Sequence, residues 1–269
     1  MHDTRLVHLV WAPYGVALLE RFLAAYSACD AGRAHRLTVV LNGFASRAQA
    51  RPYEAALGSV DHDVLFLDAP RQDVAAYRAA ALAARERIVC FANSYARPLA
   101  DGWLELLCAP LERAGVGVAG ATGSYESHLS SVARQRARSP RVAVDVARHA
   151  LVFPRFPNPT IRTNAFALER ERYARLAPAR VRSKFAAHAF ESGRWGLTAR
   201  LRRRRLRPLV AGRDGRTFEV EEWPASATFR RDGQRNLLVA DNRTDEWEQA
   251  DPQRRRELTE MAWGPCTSG

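Results

Sequence analysis

Val64-Leu-Phe-Leu-Asp-Ala-Pro-Arg-Gln-Asp-Val-Ala-Ala-Tyr-Arg-Ala-Ala-Ala-Leu-Ala-Ala-Arg-Glu-Arg-Ile-Val-Cys-Phe-Ala92 decides the fold. Val64 to Leu67 and Ile88 to Ala92 are short apolar runs, the pattern of strands buried on both faces. Between them Gln72 to Glu86 has helical spacing. Val74, Tyr77, Ala81 and Leu82 recur at intervals of three and four, and Asp73 stands where it favours the helix dipole. The same alternation runs outward on both sides: Leu6 to Trp11, Leu37 to Leu41 and Val116 to Ala119 are further strand patterns, and Val16 to Ser27, Arg47 to Leu57 and Leu99 to Arg113 further helical ones. Repeated strand, helix, strand predicts an α/β fold with a doubly wound, mostly parallel sheet flanked by helices.

Beyond about residue 130 the alternation loosens. Arg155 to Pro159 reads as a loop, Asn164 to Leu168 as a short strand and Phe185 to Leu206 as a helix with a very basic end. Pro208 to Gly212 and Thr217 to Val220 flank Asp214-Gly215 as a hairpin would, a small antiparallel extension in the C-terminal half. The expected organisation is one domain over 1–242, followed by a polar tail over 243–269 with no core of its own.

With 269 residues, 47% hydrophobic and 26% charged, the chain is neither a disordered tail nor a disulfide miniprotein. No apolar run approaches the ~20 residues of a bilayer span. Met1 to Arg5 leads into a strand with no cleavable signal pattern, so a cytoplasmic protein is expected. Cys29, Cys90, Cys108 and Cys266 lack C-x-x-C spacing and read as reduced structural thiols. The seven histidines show no i, i+4 pair, which argues against zinc.

The net charge of +12 is unevenly spread: residues 1–130 hold 12 basic and 13 acidic residues, and 131–269 hold 29 and 16. The C-terminal half is therefore expected to face an anion. Coding bias is the competing explanation of the excess, since one basic residue in 41 is a lysine, Lys184. Arg202 to Arg205 should spread around a helix and face water or an anionic membrane surface. Nucleic acid is disfavoured because this stretch lacks interleaved aromatic residues.

Ligands of open sheets bind outside the carboxyl ends of the strands. The turns there are Ala12-Pro13-Tyr14, Asn42-Gly43-Phe44, Asp68-Ala69-Pro70, Asn93-Ser94-Tyr95 and Thr122-Gly123-Ser124. None has the glycine spacing of a dinucleotide site or a P-loop. Asp61-His62-Asp63 precedes its strand, which puts it at the wrong edge for a functional metal.

Several stretches fall in the order of a known family: Arg5 to Tyr14, Arg87-Ile-Val-Cys-Phe-Ala-Asn-Ser-Tyr-Ala-Arg-Pro98, Gly117-Val-Ala-Gly-Ala-Thr-Gly-Ser124, Thr163-Asn-Ala-Phe-Ala-Leu-Glu-Arg170, and His188-Ala-Phe-Glu-Ser-Gly193 followed by Leu201 to Pro208. Over roughly residues 5–240 the chain resembles the large inverting glycosyltransferases with the GT-A fold (family 2-like). That resemblance implies a nucleotide-sugar-binding half, 1–122, and an acceptor and catalytic half, 123–242. It implies transfer of a sugar by single displacement from a nucleotide-sugar to a hydroxyl acceptor, such as a cell-surface polysaccharide or a glycolipid; separately, the basic run Arg202 to Arg205 is expected to bring the enzyme to the inner membrane surface.

By the same resemblance Pro13 and Tyr14 contact the base, Asn42 stands at a donor position, and Asn93, Ser94 and Tyr95 occupy the metal and diphosphate position, where members hold Mg or Mn; Asp68 and Asp73, flanking the proline turn at the carboxyl edge, are expected to contact the ribose or the base. Gly123, Ser124, Asn164 and His188 fall on the acceptor side. Glu191, expected at a helix start, is the implied general base, with Glu126 its rival; as an exposed first-turn acid Glu126 also reads as purely structural. Arg230 and Arg231, with Gln234 and Arg235, would close over the diphosphate.

Two departures stand out. Members carry acidic residues after the second strand, where this chain has Asn42, and Asp-x-Asp after the fourth, where it has Asn93-Ser94-Tyr95. Neutral oxygens hold hard cations more weakly. That leaves three alternatives: a metal with fewer ligands, arginines in its place, or loss of catalysis. A non-catalytic nucleotide-sugar or nucleic-acid binder on the same scaffold is the alternative function.

Overall fold

The computed structural model describes residues 2–58, 60–130 and 143–265. Cys266, expected to be a reduced thiol, lies outside the described residues.

The strands are β1 (Thr4–Trp11), β2 (His35–Asn42), β3 (Asp63–Phe66), β4 (Ile88–Ala92), β5 (Arg97–Pro98), β6 (Val116–Gly120), β7 (Gly123–Ser124), β8 (Thr160–Ile161), β9 (Ala165–Glu169), β10 (Arg207–Ala211), β11 (Thr217–Phe218) and β12 (Val239–Ala240). Eight of them form the main sheet in the order β11-β10-β6-β9-β4-β1-β2-β3. β4, β1, β2 and β3 run parallel, as do β10 and β6, while β9 lies antiparallel between β4 and β6. The reversal has a local cause. β8 pairs with β7 beyond the carboxyl end of β6, so the chain enters β9 from that edge and must run back. β10 and β11 form the expected antiparallel extension.

Helices α1 (Ala17–Ala28), α2 (Arg47–Leu57) and α4 (Trp103–Cys108) cover one face. On the other lie α3 (Asp73–Ala83), α6 (Arg170–Leu176), α7 (Lys184–Ser192) and α8 (Leu197–Arg203), numbered after α5 (Ala143–Val152). Strand alternation feeds both cores: Leu6 and Val10 of β1 enter the first, Val7 and Leu9 the second. Phe91 stands 4.5 Å from Tyr77, 4.6 Å from Tyr173 and 5.2 Å from Phe166, tying α3, α6 and β9 to β4. Each such ring pair adds about 0.5–1.5 kcal/mol beyond its buried area.

At the amino edge of the sheet the buried Arg5 is fully engaged. Its Nε and Nη2 donate to the two oxygens of Glu86 at 3.0 and 2.8 Å, and its Nη1 donates to Thr38 and to Asp63. Asp63 of the Asp61-His62-Asp63 triplet thus serves this ion pair.

Three expectations are corrected. Phe185–Leu206 is two helices, because Gly193 and Gly196 fold the chain against the end of α7; a Cβ at Gly193 would lie 2.4 Å from the Ala189 carbonyl oxygen, and one at Gly196 2.7 Å from that of Phe190. Arg202 and Arg203 close α8, with Arg204 its cap and Arg205 left-handed at φ 57°, so the run sits on the negative end of the helix dipole instead of ringing an axis. The stretch expected as a polar tail over 243–269 instead lies largely in α9 (Asn242–Gln249) and α10 (Pro252–Trp263). The Asp241 side chain caps the first and Asp251 the second, and Leu258, Ala262 and Trp247 are buried.

Candidate active site

The carboxyl edge opens into a cleft of about 710 Å³, a volume suited to a small-molecule ligand. One side is aromatic and comes from the strand ends: Trp11, Tyr14 in the turn after β1, and Tyr95 after β4, with Tyr14 and Tyr95 rings 5.0 Å apart. Charged side chains come from the start of α3, the segments after β7 and β8, α7, the loop before β12 and the C-terminal helices. Arg71, Arg162, Lys184, Arg230, Arg243 and Arg254 line the cleft together with Asp73, Glu126, Glu191, Asp241 and Glu246.

Glu191 lies in the last turn of α7, not at a helix start. There the dipole disfavours a carboxylate, so the helix-start explanation of this acid falls away. It is half-buried, and its Oε1 accepts a hydrogen bond from Thr163 Oγ1 at 2.9 Å. Burial pushes its carboxyl up to about 7, Asp73 adds to the rise, and Thr163 and Arg162 hold it back. Such a carboxylate exchanges protons near neutrality.

Glu126 differs. It precedes the turn capped by Ser127 and is half-buried, with Arg162 Nη1 at 2.8 Å and Arg230 Nη1 at 4.0 Å. Although burial opposes it, the two arginines hold its carboxyl below the ordinary range. The expected exposed first-turn acid is instead a fixed negative charge.

Asp73 opens α3 at the cleft mouth, its carboxyl raised chiefly by desolvation. His128 and His188 stack at 4.5 Å on the wall and are neutral at pH 7, burial lowering His128 to about 4 and His188 in the same direction.

Other expected site residues build the cleft from behind. Asn42 is fully buried, its Nδ2 donating to the Arg71 carbonyl at 2.8 Å and its Oδ1 accepting from the Arg71 amide at 2.9 Å, so it places Arg71. Gly123 has no room for a side chain beside Trp223, 2.7 Å from its would-be Cβ. Asn164 lines the cleft, accepts from Thr122 at 2.8 Å and reaches the Val239 carbonyl. Ser124 faces the cleft, its Oγ 3.4 Å from Arg162. Gln234 accepts from the Arg230 amide and donates to Thr244 and Glu248. Pro13, Asp68 and Arg231 lie outside the lining, Asp68 and Arg231 being exposed.

The turn at Asn93-Ser94-Tyr95 does not fit a hard divalent ion. Ser94 Oγ donates to the Leu9 carbonyl at 2.7 Å, and Asn93 Oδ1 accepts from the Tyr95 amide at 2.9 Å. Among the described residues no group of three or more His, Cys, Asp or Glu side chains is arranged to hold a metal. Thr163, Arg162, Trp11, His128, Arg243, Glu246 and Arg254 were not foreseen. The last three carried a signal, the caps Asp241-x-x-Thr244 and Asp251-Pro252 that mark helix starts.

The structure is similar to that of the mannosyltransferase PcManGT from Pyrobaculum calidifontis, solved with GDP-Man and Mn2+, at a TM-score of 0.50 and 15% identity over 84% of this chain and 60% of that one. The fold is GT-A-like. This chain thus spans about 60% of the mannosyltransferase's length. Glucosyl-3-phosphoglycerate synthase from Mycobacterium tuberculosis aligns at a TM-score of 0.40 and 16% identity, covering 64% and 57%, and 4-diphosphocytidyl-2C-methyl-D-erythritol synthase from Anaerococcus prevotii at 0.43 and 13%, covering 70% and 83%. No protein-family model and no curated protein matches the sequence. Among the described residues no helix is long and apolar enough to cross a membrane.

Proposed function

We propose that this protein is a nucleotide-sugar-dependent glycosyltransferase acting on a hydroxyl acceptor, a glycan or glycolipid such as a precursor of a cell-surface polysaccharide. The observation that carries the reading is Glu191, a carboxyl that titrates near neutrality in a cleft with aromatic rings on one side and guanidiniums on the other. Tyr14 and Tyr95 form a shelf for the base, and Asp73 stands within reach of the ribose. Glu191 takes the proton of the acceptor hydroxyl as its oxygen bonds to the anomeric carbon. The bond from that carbon to the diphosphate breaks, and its electron pair leaves on the phosphate oxygen, facing Arg230 and Arg162. Attack opposite the leaving group inverts the anomeric centre. His188, neutral and one helical turn before Glu191, lies beside the acceptor.

A panel of UDP-, GDP-, TDP- and CMP-sugars tests this. Turnover that disappears in Glu191→Gln is expected, whereas turnover unchanged in that variant removes Glu191 from the role. Binding of donors without transfer would favour the non-catalytic reading, and tight, salt-sensitive binding of unrelated oligonucleotides would favour a nucleic-acid binder.

We place the enzyme in the cytoplasm, at the inner membrane surface. Arg203 stacks on the exposed Trp195 at 4.0 Å, and Arg202, Arg204 and Arg205 are exposed beside it, a combination suited to an anionic lipid surface. Co-sedimentation with vesicles containing anionic lipid should weaken in Trp195→Ala, and equal recovery with neutral vesicles would reject this contact.

A further inference from the structure

We propose that this chain binds the diphosphate of its donor without a metal ion, between the guanidiniums of Arg230 and Arg162. The transferase reading supplies the identity of the anion; the site itself stands on the geometry of the cleft wall.

Arg230 is 2% exposed, yet only its Nη2 has a hydrogen bond, to Glu246 at 3.1 Å. Its Nε and Nη1 make no hydrogen bond among the described residues, Nη1 lying 4.0 Å from Glu126. Buried donors of this kind are costly unless a ligand completes them. Burial, and after it the neighbouring Arg162, brings the Arg230 guanidinium down to about 10, the mark of a charge short of compensation. Both arginines lie over the ring of Phe229, at 4.5 Å for Arg162 and 4.9 Å for Arg230, so one side chain holds two like charges together. Around them four guanidiniums, with Arg243 and Arg254, lean on three carboxylates, Glu126, Glu246 and Glu257. One positive charge is left over.

The backbone that presents Arg230 is held in an unfavourable conformation. Arg230 has φ 49°, and Ala227, Asp232 and Gln234 have φ between 48° and 54°. This loop is fixed from several directions. The Arg230 amide donates to Gln234, the Arg230 carbonyl accepts from Thr259 at 2.8 Å, the Phe229 carbonyl accepts from Trp263 at 2.7 Å, and Asn236 donates to the Ser226 carbonyl. Strain so thoroughly held belongs to a group positioned for a ligand. Paired arginines recognise phosphate oxygens through parallel N–H bonds, and here they line the same cleft as the Asn93-Ser94-Tyr95 turn, whose serine and asparagine oxygens are already engaged.

The test measures binding of inorganic pyrophosphate, UDP and GDP to the full chain by calorimetry, in EDTA and in Mn2+. Pyrophosphate should bind in EDTA, with an affinity that changes less than threefold when Mn2+ replaces the chelator. Arg230→Met and Arg162→Met should each weaken it at least tenfold. Should Arg230→Met fail to fold, the half-buried Arg162→Met decides alone. Binding only with Mn2+, no pyrophosphate binding in either buffer, or unchanged affinity in the folded variants overturns the proposal. Sugar transfer that strictly requires Mn2+ would retain the transferase and reject the metal-free clamp. Pyrophosphate binding in EDTA with no transfer from any donor would do the reverse.

Discussion

Two buried arginines stand at opposite edges of the same sheet, and the protein treats them in opposite ways. Arg5, at the amino edge, meets Glu86 through two parallel bonds and has Thr38 and Asp63 besides. Burial alone would lower its pKa, but Glu86 and Asp63 outweigh it and the value is raised. Arg230, at the carboxyl edge, is buried as deeply, has one hydrogen bond and is brought down to about 10. The amino edge uses its charges to hold β1, β2, β3 and the turn before β4 together. The carboxyl edge leaves two nitrogens of Arg230 without hydrogen bonds, where the proposed anion would bind.

The largest way to test that contrast is chemical. Glu191→Gln should lower turnover with the accepted donor by about 10²–10⁴-fold. In the parent protein the acidic limb of kcat/KM should fall near pH 7, where Glu191 gains its proton. A profile flat from pH 5 to 8 would contradict this assignment.

Next comes a stability change at the other edge. Glu86→Ala leaves the buried Arg5 with Thr38 and the half-buried Asp63 and should cost about 3–5 kcal/mol in denaturant unfolding, with diphosphate affinity unchanged. An equal loss of affinity would mean that the two edges are not independent.

The smallest effect separates the edges by sign. Glu86 and Asp63 are held below their ordinary values by Arg5, so the stability they lend is present above the unfolded carboxylate values and is lost as the pH falls. Glu191 is raised, so the folded state favours its protonated form, and that advantage disappears as the pH rises through about 7. Stability should therefore peak at about pH 5, where the Asp63 and Glu86 contributions are in place and the Glu191 contribution has only begun to be lost. Glu191→Gln should be more stable than the parent at pH 8, by at most ~3 kcal/mol, with the gain vanishing at pH 5. A variant no more stable at pH 8 than at pH 5, relative to the parent, would show that Glu191 carries no such burden.

The parallel sheet was legible in the sequence because its strands are short apolar runs and its helices have period-3.6 spacing. Each predicted strand of the first half lies within two residues of its observed bounds. What apolar runs do not encode is direction: Asn164 to Leu168 announces a strand, and only the β7–β8 ribbon makes it run backwards. Phe185 to Leu206 reads as one helix because its two glycines, Gly193 and Gly196, three residues apart, are outweighed by helical neighbours. The carboxyl-edge rule found Tyr14, Asp73, Asn93, Ser94, Tyr95 and Ser124, all in the lining. Arg162 and Glu126 are 36 residues apart and meet only through the fold. Polarity concealed the C-terminal helices, since their buried faces rest on few residues, Trp247, Leu258 and Ala262 among them.

Those helices also set an order of events during synthesis. The loop bearing Arg230 is fixed by Thr244, Glu248, Thr259 and Trp263, all later in the chain. A chain ending at β11 carries Tyr14, Tyr95 and Glu191 but lacks the partners that hold the Arg230 loop in place. Because a domain generally folds as a unit, the proposed diphosphate clamp at Arg230 can form only once the chain is available to residue 263. Competence then arrives at a single late step instead of accumulating with length.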